Sequence, residues 1–344
     1  MNTLLLGNSI ADIKSGAALI KKGGVVAMPT ETVYGLSADA LKGEAVEKIF
    51  KAKGRPMDNP LIVHISDVSD IERFNLVKEF PQKARALAEK FWPGPLTMIL
   101  KRSDVIPTQV SAGLDTVAIR LPSHTVARVL IRESETVLAA PSANKSGSPS
   151  PTTAQHVLDD LDGCIDAVID GGMCSVGVES TVITLATDTP RLLRPGFITV
   201  EQIEEVIGEI EVDDAVLFKL SDDKKAASPG MKYKHYSPKA KVVLVSGGDD
   251  AFCAFVNEKY EADKSVGAIC YDEDKFELLC KCIPIGKSDD LESQAHLLFD
   301  ALRQVDELIN ISTVYARCPQ KDGVGMALYN RLIRAAGFEV ICLE

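Results

Sequence analysis

Short apolar runs rich in Val, Ile and Leu alternate with helical patterns along nearly the whole chain, and this alternation limits the possible folds more than any other feature. Residues 25–28, 61–65, 96–100, 117–121, 137–140, 167–169 and 181–185 have the length and composition of buried strands. Residues 10–22, 45–53, 80–91, 125–132, 153–158 and 200–207 between them read as helices. Such mixing predicts an α/β catalytic domain over 1–208, built on a twisted, open, mixed sheet with helices. The alternation then stops. Residues 209–238 are polar and broken, carry Ser228-Pro229-Gly230 and Ser237-Pro238, and read as a linker. It resumes with strands at 242–245, 266–271, 282–285, 313–316 and 340–343 and helices at 251–260, 291–309 and 326–336. That predicts a smaller Rossmann-like α/β domain over 239–344. At 344 residues the chain is long enough for two cores, since single cores stop growing at roughly 250–300 residues.

Charge narrows the function. Asp and Glu outnumber Lys and Arg by 49 to 38, a formal net charge of −11. Phosphate contacts dominate nucleic-acid affinity, so stable nucleic-acid binding by the whole surface is not expected. One local basic pocket remains compatible with that charge. The longest apolar runs fall far short of the roughly 18 residues a membrane helix needs, and Leu4-Leu5-Leu6 lacks a basic leader. A cytoplasmic protein without membrane contact is expected. The eight cysteines include no C-x2-C pair; Cys280 and Cys282 stand alone, so apolar fillers are expected rather than a protein-held metal.

Several loops next to predicted strands carry chemistry. Pro29-Thr30-Glu31-Thr32-Val33-Tyr34-Gly35 could grip a polar ligand through its hydroxyls, or could simply cap a turn. Lys51-Ala52-Lys53-Gly54-Arg55-Pro56 places cations at a helix C-terminus, which the macrodipole alone would favour. Yet Arg55 offers a planar fork suited to phosphate, with Lys53 as a point charge beside it. His64 stands by a strand, where a lone His is more often a satisfied core residue. Trp92, the only tryptophan, belongs to a rigid Trp92-Pro93-Gly94-Pro95 turn. Arg120 lies in an apolar strand and needs an anionic partner, from the protein or from a ligand, which makes it the best candidate for holding a carboxylate. Ala140-Pro141-Ser142-Ala143-Asn144-Lys145-Ser146-Gly147, Gly177-Val178-Glu179-Ser180-Thr181 and Leu193-Arg194-Pro195-Gly196 add small hydroxyl, amide and cationic groups. Open α/β sheets bind ligands beyond their strands' carboxyl ends, so these loops are expected to meet there. No P-loop, G-x-S-x-G elbow or H-E-x-x-H helix is present.

Lys53-Gly54-Arg55 with Ser142-Ala143-Asn144 resembles the K-x-R…S-x-N signature of the YrdC/Sua5 family. The loops beginning at Pro29, Trp92 and Glu179 look like its other landmarks, in its order, over about residues 5–208. Pro229-Gly230-Met231-Lys232-Tyr233-Lys234-His235-Tyr236-Ser237-Pro238 resembles the linker of the longer Sua5 branch. The resemblance implies a nucleotidyltransferase that joins L-threonine, bicarbonate and ATP into threonylcarbamoyl-AMP and pyrophosphate. The product would feed the proteins that transfer threonylcarbamoyl to adenosine 37 of tRNAs reading ANN codons, and Mg2+ would arrive with ATP. It further implies a threonine site of Thr32, His64, Arg120, Ala140 and Ser180. The nucleotide would meet Lys53, Arg55, Asn59, Thr116, Ser142, Asn144, Ser150 and Arg194, with Lys53 and Arg55 catalytic and His235 and Tyr236 folding over the pocket. Two rivals stay open at this point: an RNA-binding module with a basic pocket, and a carbamoyltransferase like the related domain of hydrogenase-maturation proteins, whose zinc-finger cysteine pairs are not visible here.

Overall fold

The computed structural model describes residues 2–218 and 236–343. Among the described residues, eleven strands form the first sheet, which starts at Leu4–Leu6 on one edge, passes through Val26–Met28, Gly35–Asp39, Leu138–Ala139, Ile62–His64 and Thr116–Arg120, and ends at Glu211–Val212. Pairing is mixed: Ile62–His64 runs parallel to Thr116–Arg120 and antiparallel to Leu138–Ala139. The second sheet is all parallel, in the order Lys281–Pro284, Val266–Cys270, Thr313–Arg317, Lys241–Ser246, Val340–Cys342. Helices Asp249–Ala262, Leu291–Gln304 and Gly323–Ala335 supply three of its crossovers, and a 3-10 turn, Asp274–Phe276, lies in the fourth.

Local sequence explains the helix ends. Ser9 accepts from the Asp12 amide and starts Ile10–Lys21, and Thr199 with Gln202 closes a capping box on Val200–Ile207. Gly43–Lys53 stops at Gly54, whose φ of 61° is left-handed and suits glycine. That turn sends Lys53 inward and Arg55 to the cavity rim.

The residues expected as linker begin in order. Glu211–Val212 adds a strand parallel to Arg191–Arg194, and a 3-10 turn, Asp214–Val216, follows. Ala215 is buried with Ile62 and Ala118. Residues 219–235, the middle of that expected linker, lie outside the described residues. The two domains share a packed interface. Val33 and Val178 join the second domain's core around Phe299 and Leu298. Arg303 pairs with Asp160 at 2.9 Å, and a Cβ on Gly177 would sit 2.5 Å from the His296 backbone. Among the described residues no helix is long and apolar enough to cross a membrane.

Candidate active site

A cavity lies over a face of the first sheet as well as beyond strand ends. His64 and Arg120 are partners in register, so both side chains stand on one face, with Ile62 two residues earlier on the same floor. The loop after Val26–Met28 contributes Thr30, Thr32 and Val33, and the segment after Leu138–Ala139 contributes Ala140 and Ser142. Ser180, Arg194 and Tyr236 close the far side. The space is about 750 Å³, counted to its open mouth. Four cationic residues (Lys53, Arg55, Arg120, Arg194) line it against one acidic residue, Glu179. In a chain of net charge −11 that is a concentrated positive site.

Lys53 does not point an unoccupied ammonium at the cavity. Its Nζ donates to the main-chain carbonyls of Ser142 and Asn144 and lies 3.4 Å from Asn144 Oδ1. Ser142 Oγ donates to Asn144 Oδ1 at 2.6 Å, and Asn144 Nδ2 reaches the carbonyls of Lys145 and Ser148 at 2.8 Å each. The spaced signature thus folds into one hydrogen-bonded knot. Burial, followed by the Arg55 cation, holds Lys53 well below the usual lysine range. An amine still has two protons for its two carbonyls, so the tie outlasts loss of the third.

Arg120 has its anionic partner inside the protein. Its Nη2 lies 2.7 Å from Glu31, both side chains being buried, while Nη1 donates to Thr32 Oγ1 at 2.8 Å. The Glu31 contact lacks hydrogen-bond geometry and is a charge pair. His64 Nδ1 sits 3.2 Å from the Ile62 carbonyl. Burial first, and Arg120 second, push His64 down to about 3, so its imidazole is neutral at physiological pH.

On the opposite wall Arg194 donates to the Ser180 carbonyl at 3.0 Å and to its Oγ at 3.1 Å; that hydroxyl also meets Thr97 Oγ1 at 2.7 Å. Burial lowers Arg194 to about 10, leaving it a cation. Glu179 accepts from Ser150 Oγ at 2.6 Å and from Arg331 Nε at 3.0 Å. Burial pushes its carboxyl up, but Arg331 and Arg194 together bring it below the ordinary range.

The cavity brings together Thr32, Lys53, Arg55, His64, Arg120, Ala140, Ser142, Asn144, Ser180, Arg194 and Tyr236. Asn59, Thr116 and Ser150 do not line it. Asn59 is buried, its carbonyl 3.5 Å from Arg55 Nη2 and its Oδ1 without a hydrogen bond. Thr116 shares the Arg120 face, four residues and about 13 Å further along the strand. Ser150 is spent on Glu179. His235 lies outside the described residues. Sequence reasoning gave no role to Glu31, Glu179 or Arg331. The first two sat inside quoted loops, where a buried cation nearby was the available signal; nothing in the sequence marked Arg331. Among the described residues no group of three or more His, Cys, Asp or Glu is disposed to hold a metal.

Fold and cavity together define a two-domain α/β protein with a cation-lined ligand cleft in its larger domain. Residues 18–196 match the Sua5–YciO–YrdC family, described as Telomere recombination, and residues 198–337 match the threonylcarbamoyl-AMP synthase C-terminal domain. The chain belongs to the Sua5–YciO–YrdC family, in the form that carries the Sua5 C-terminal domain. It is 47% identical over 336 residues to the threonylcarbamoyl-AMP synthase of Pyrococcus abyssi, covering 96% of this chain and 95% of that one. The Bacillus subtilis threonylcarbamoyl-AMP synthase is 47% identical over 342 residues, 98% of this chain and 96% of its own. The crystal structure of P. abyssi Sua5 complexed with L-threonine superposes with a TM-score of 0.91 at 44% identity, covering 100% of both chains.

Proposed function

We propose that this protein is a threonylcarbamoyl-AMP synthase, a nucleotidyltransferase that makes threonylcarbamoyl-AMP and pyrophosphate from L-threonine, bicarbonate and ATP. The observation that carries the reading is the cavity, where four basic side chains and several hydroxyls surround about 750 Å³. Its relatives' names and the L-threonine bound by the P. abyssi protein support it.

Threonine fits the inner end, where Thr32, His64, Arg120, Ala140 and Ser180 meet. A neutral His64, with its Nδ1–H on the Ile62 carbonyl, leaves Nε2 as an acceptor there without repelling an ammonium. Arg120, already balanced by Glu31, offers its guanidinium edge to the ligand carboxylate. The nucleotide fits the outer end, with Arg55, Ser142 and Arg194 on its phosphates and Asn59, Thr116, Ser150, His235 and Tyr236 reached as it extends and the linker closes. Lys53 and Asn144 shape that end through the knot, so Arg55 is the group we assign to the reacting phosphate and Lys53 to its placement. Mg2+ enters as part of the ATP substrate.

Bicarbonate and the threonine amine form a carbamate with loss of water. A carbamate oxygen then attacks the α-phosphorus, and the bond from that phosphorus to the α,β-bridging oxygen breaks, releasing the β- and γ-phosphates together as pyrophosphate. No acid–base pair is needed for this attack; holding the partners in line contributes about 7–11 kcal/mol in favourable cases. Cations stabilise charge on phosphorus and on the departing pyrophosphate. The product is a mixed anhydride, suited to the downstream proteins that modify adenosine 37 of tRNAs reading ANN codons, in the cytoplasm. The test is pyrophosphate release from ATP with L-threonine and bicarbonate omitted in turn. Release that requires both supports the reading; release indifferent to threonine overturns it.

A further inference from the structure

Arg331 belongs to the second domain's last helix, Gly323–Ala335, yet it is fully buried, and beside a 3.5 Å contact to the Ala327 carbonyl of its own helix it makes three hydrogen bonds to the first domain. Nε donates to the Glu179 carboxylate at 3.0 Å, Nη2 to the Glu179 carbonyl at 3.1 Å, and Nη1 to the Pro195 carbonyl. Glu179 precedes Ser180, and Pro195 follows Arg194. One guanidinium therefore grips two chain segments immediately beside two residues that line the cavity. We propose that Arg331 is a positioning residue for the active site, through which the second domain sets the Ser180–Arg194 wall.

Neighbouring residues of the helix act in the same direction. Asn330 Nδ2 donates to the Val216 carbonyl at 2.6 Å and Arg334 Nη2 to the Ala215 carbonyl at 2.7 Å. These hold the 3-10 turn whose Ala215 packs with Ile62 and Ala118. The planar fork matters because it presents its donors at separate, fixed positions, spanning acceptors on two chain segments that a compact ammonium at a single point does not reach together. Without it Glu179 remains buried, facing Arg194 and Ser150, with Tyr236 nearby.

The turnover readout rests on the synthase reading; the binding readout does not. Arg331→Met and Arg331→Lys are compared with the wild type by calorimetric titration of ATP and of L-threonine, and by pyrophosphate release. Weaker binding of both ligands is expected, with kcat/KM down about a hundredfold, the scale of an ångström's misplacement at a reacting centre. The kcat/KM of Arg331→Met should also fall on the acid side as Glu179 takes up a proton, and Glu179→Gln in the same chain should remove that limb. If Arg331→Met does not fold, Arg331→Lys decides alone. Folded variants with wild-type ligand affinities and kcat/KM, altered only in unfolding midpoint, would overturn the proposal. Wild-type turnover indifferent to threonine would overturn the synthase reading and leave the ATP titration as the test of Arg331.

Discussion

Lys53→Met separates a scaffold role from contact with the ligand. Methionine keeps the length and bulk of the side chain but has no donor, so the carbonyls of Ser142 and Asn144 lose a buried partner. Leaving one buried acceptor unsatisfied costs about 1–3 kcal/mol, so two put the loss at roughly 2–6 kcal/mol. Cavity water reaching those oxygens favours the lower end. The figure needs no charge on Lys53, because an amine donates to both carbonyls. Trp92 is the only tryptophan and packs in the first domain's core, so its fluorescence during urea unfolding reports that domain. A midpoint shift equivalent to about 2 kcal/mol or more is expected, together with weak ATP binding. Linkage adds a second signature. Folded Lys53 lies below its unfolded value of 10.5, so between the two values the unfolded chain binds more protons, and the wild type gains stability relative to Lys53→Met as pH rises. A folded variant within about 0.5 kcal/mol of wild type that nevertheless fails to turn over would refute the scaffold argument. The side chain would then act on the ligand itself.

Arg55→Ala should lower ATP-dependent pyrophosphate release by about a hundredfold or more while Trp92-monitored stability stays within about 0.5 kcal/mol, since Arg55 sits at the rim. His64 falls from 6.5 to about 3 on folding, so stability contributed by its neutral form is complete above 6.5 and lost by roughly 1.4 kcal/mol per pH unit below it. His64→Gln should flatten that acid sensitivity in urea titrations, and an unchanged slope would place the titration elsewhere. Arg120→Met leaves Glu31 buried without its partner and should cost about 3–5 kcal/mol. Adding Glu31→Gln should recover much of the stability, measured by the same unfolding assay, without recovering threonine binding.

The sequence was most legible where one element suffices. Ala167–Ile169 and Val200–Ile207 have the bounds their patterns predict. Gly35–Asp39 was hidden because its Gly, Ser and Ala carry no strand signal; it is buried in a sheet interior where its neighbours, not its own side chains, specify it. Leu193 and Arg194 read as part of a loop, although the strand Arg191–Arg194 contains them, because cations flank only two leucines. The same distinction governs the site. Arg120 was recognisable as a buried cation needing an anion, since that follows from one residue in one strand. Its partner being Glu31, and Lys53 being committed to the Ser142–Asn144 carbonyls, follow from contacts 89 or more positions apart that no local pattern encodes. Arg331 is the extreme case, 152 positions from Glu179 and unremarkable on its helix until the domains meet. A reaction accelerated chiefly by placing its partners draws on such remote ties as much as on the groups that touch substrate. The second domain therefore belongs to the catalytic argument even though no residue of 239–343 lines the cavity among those described.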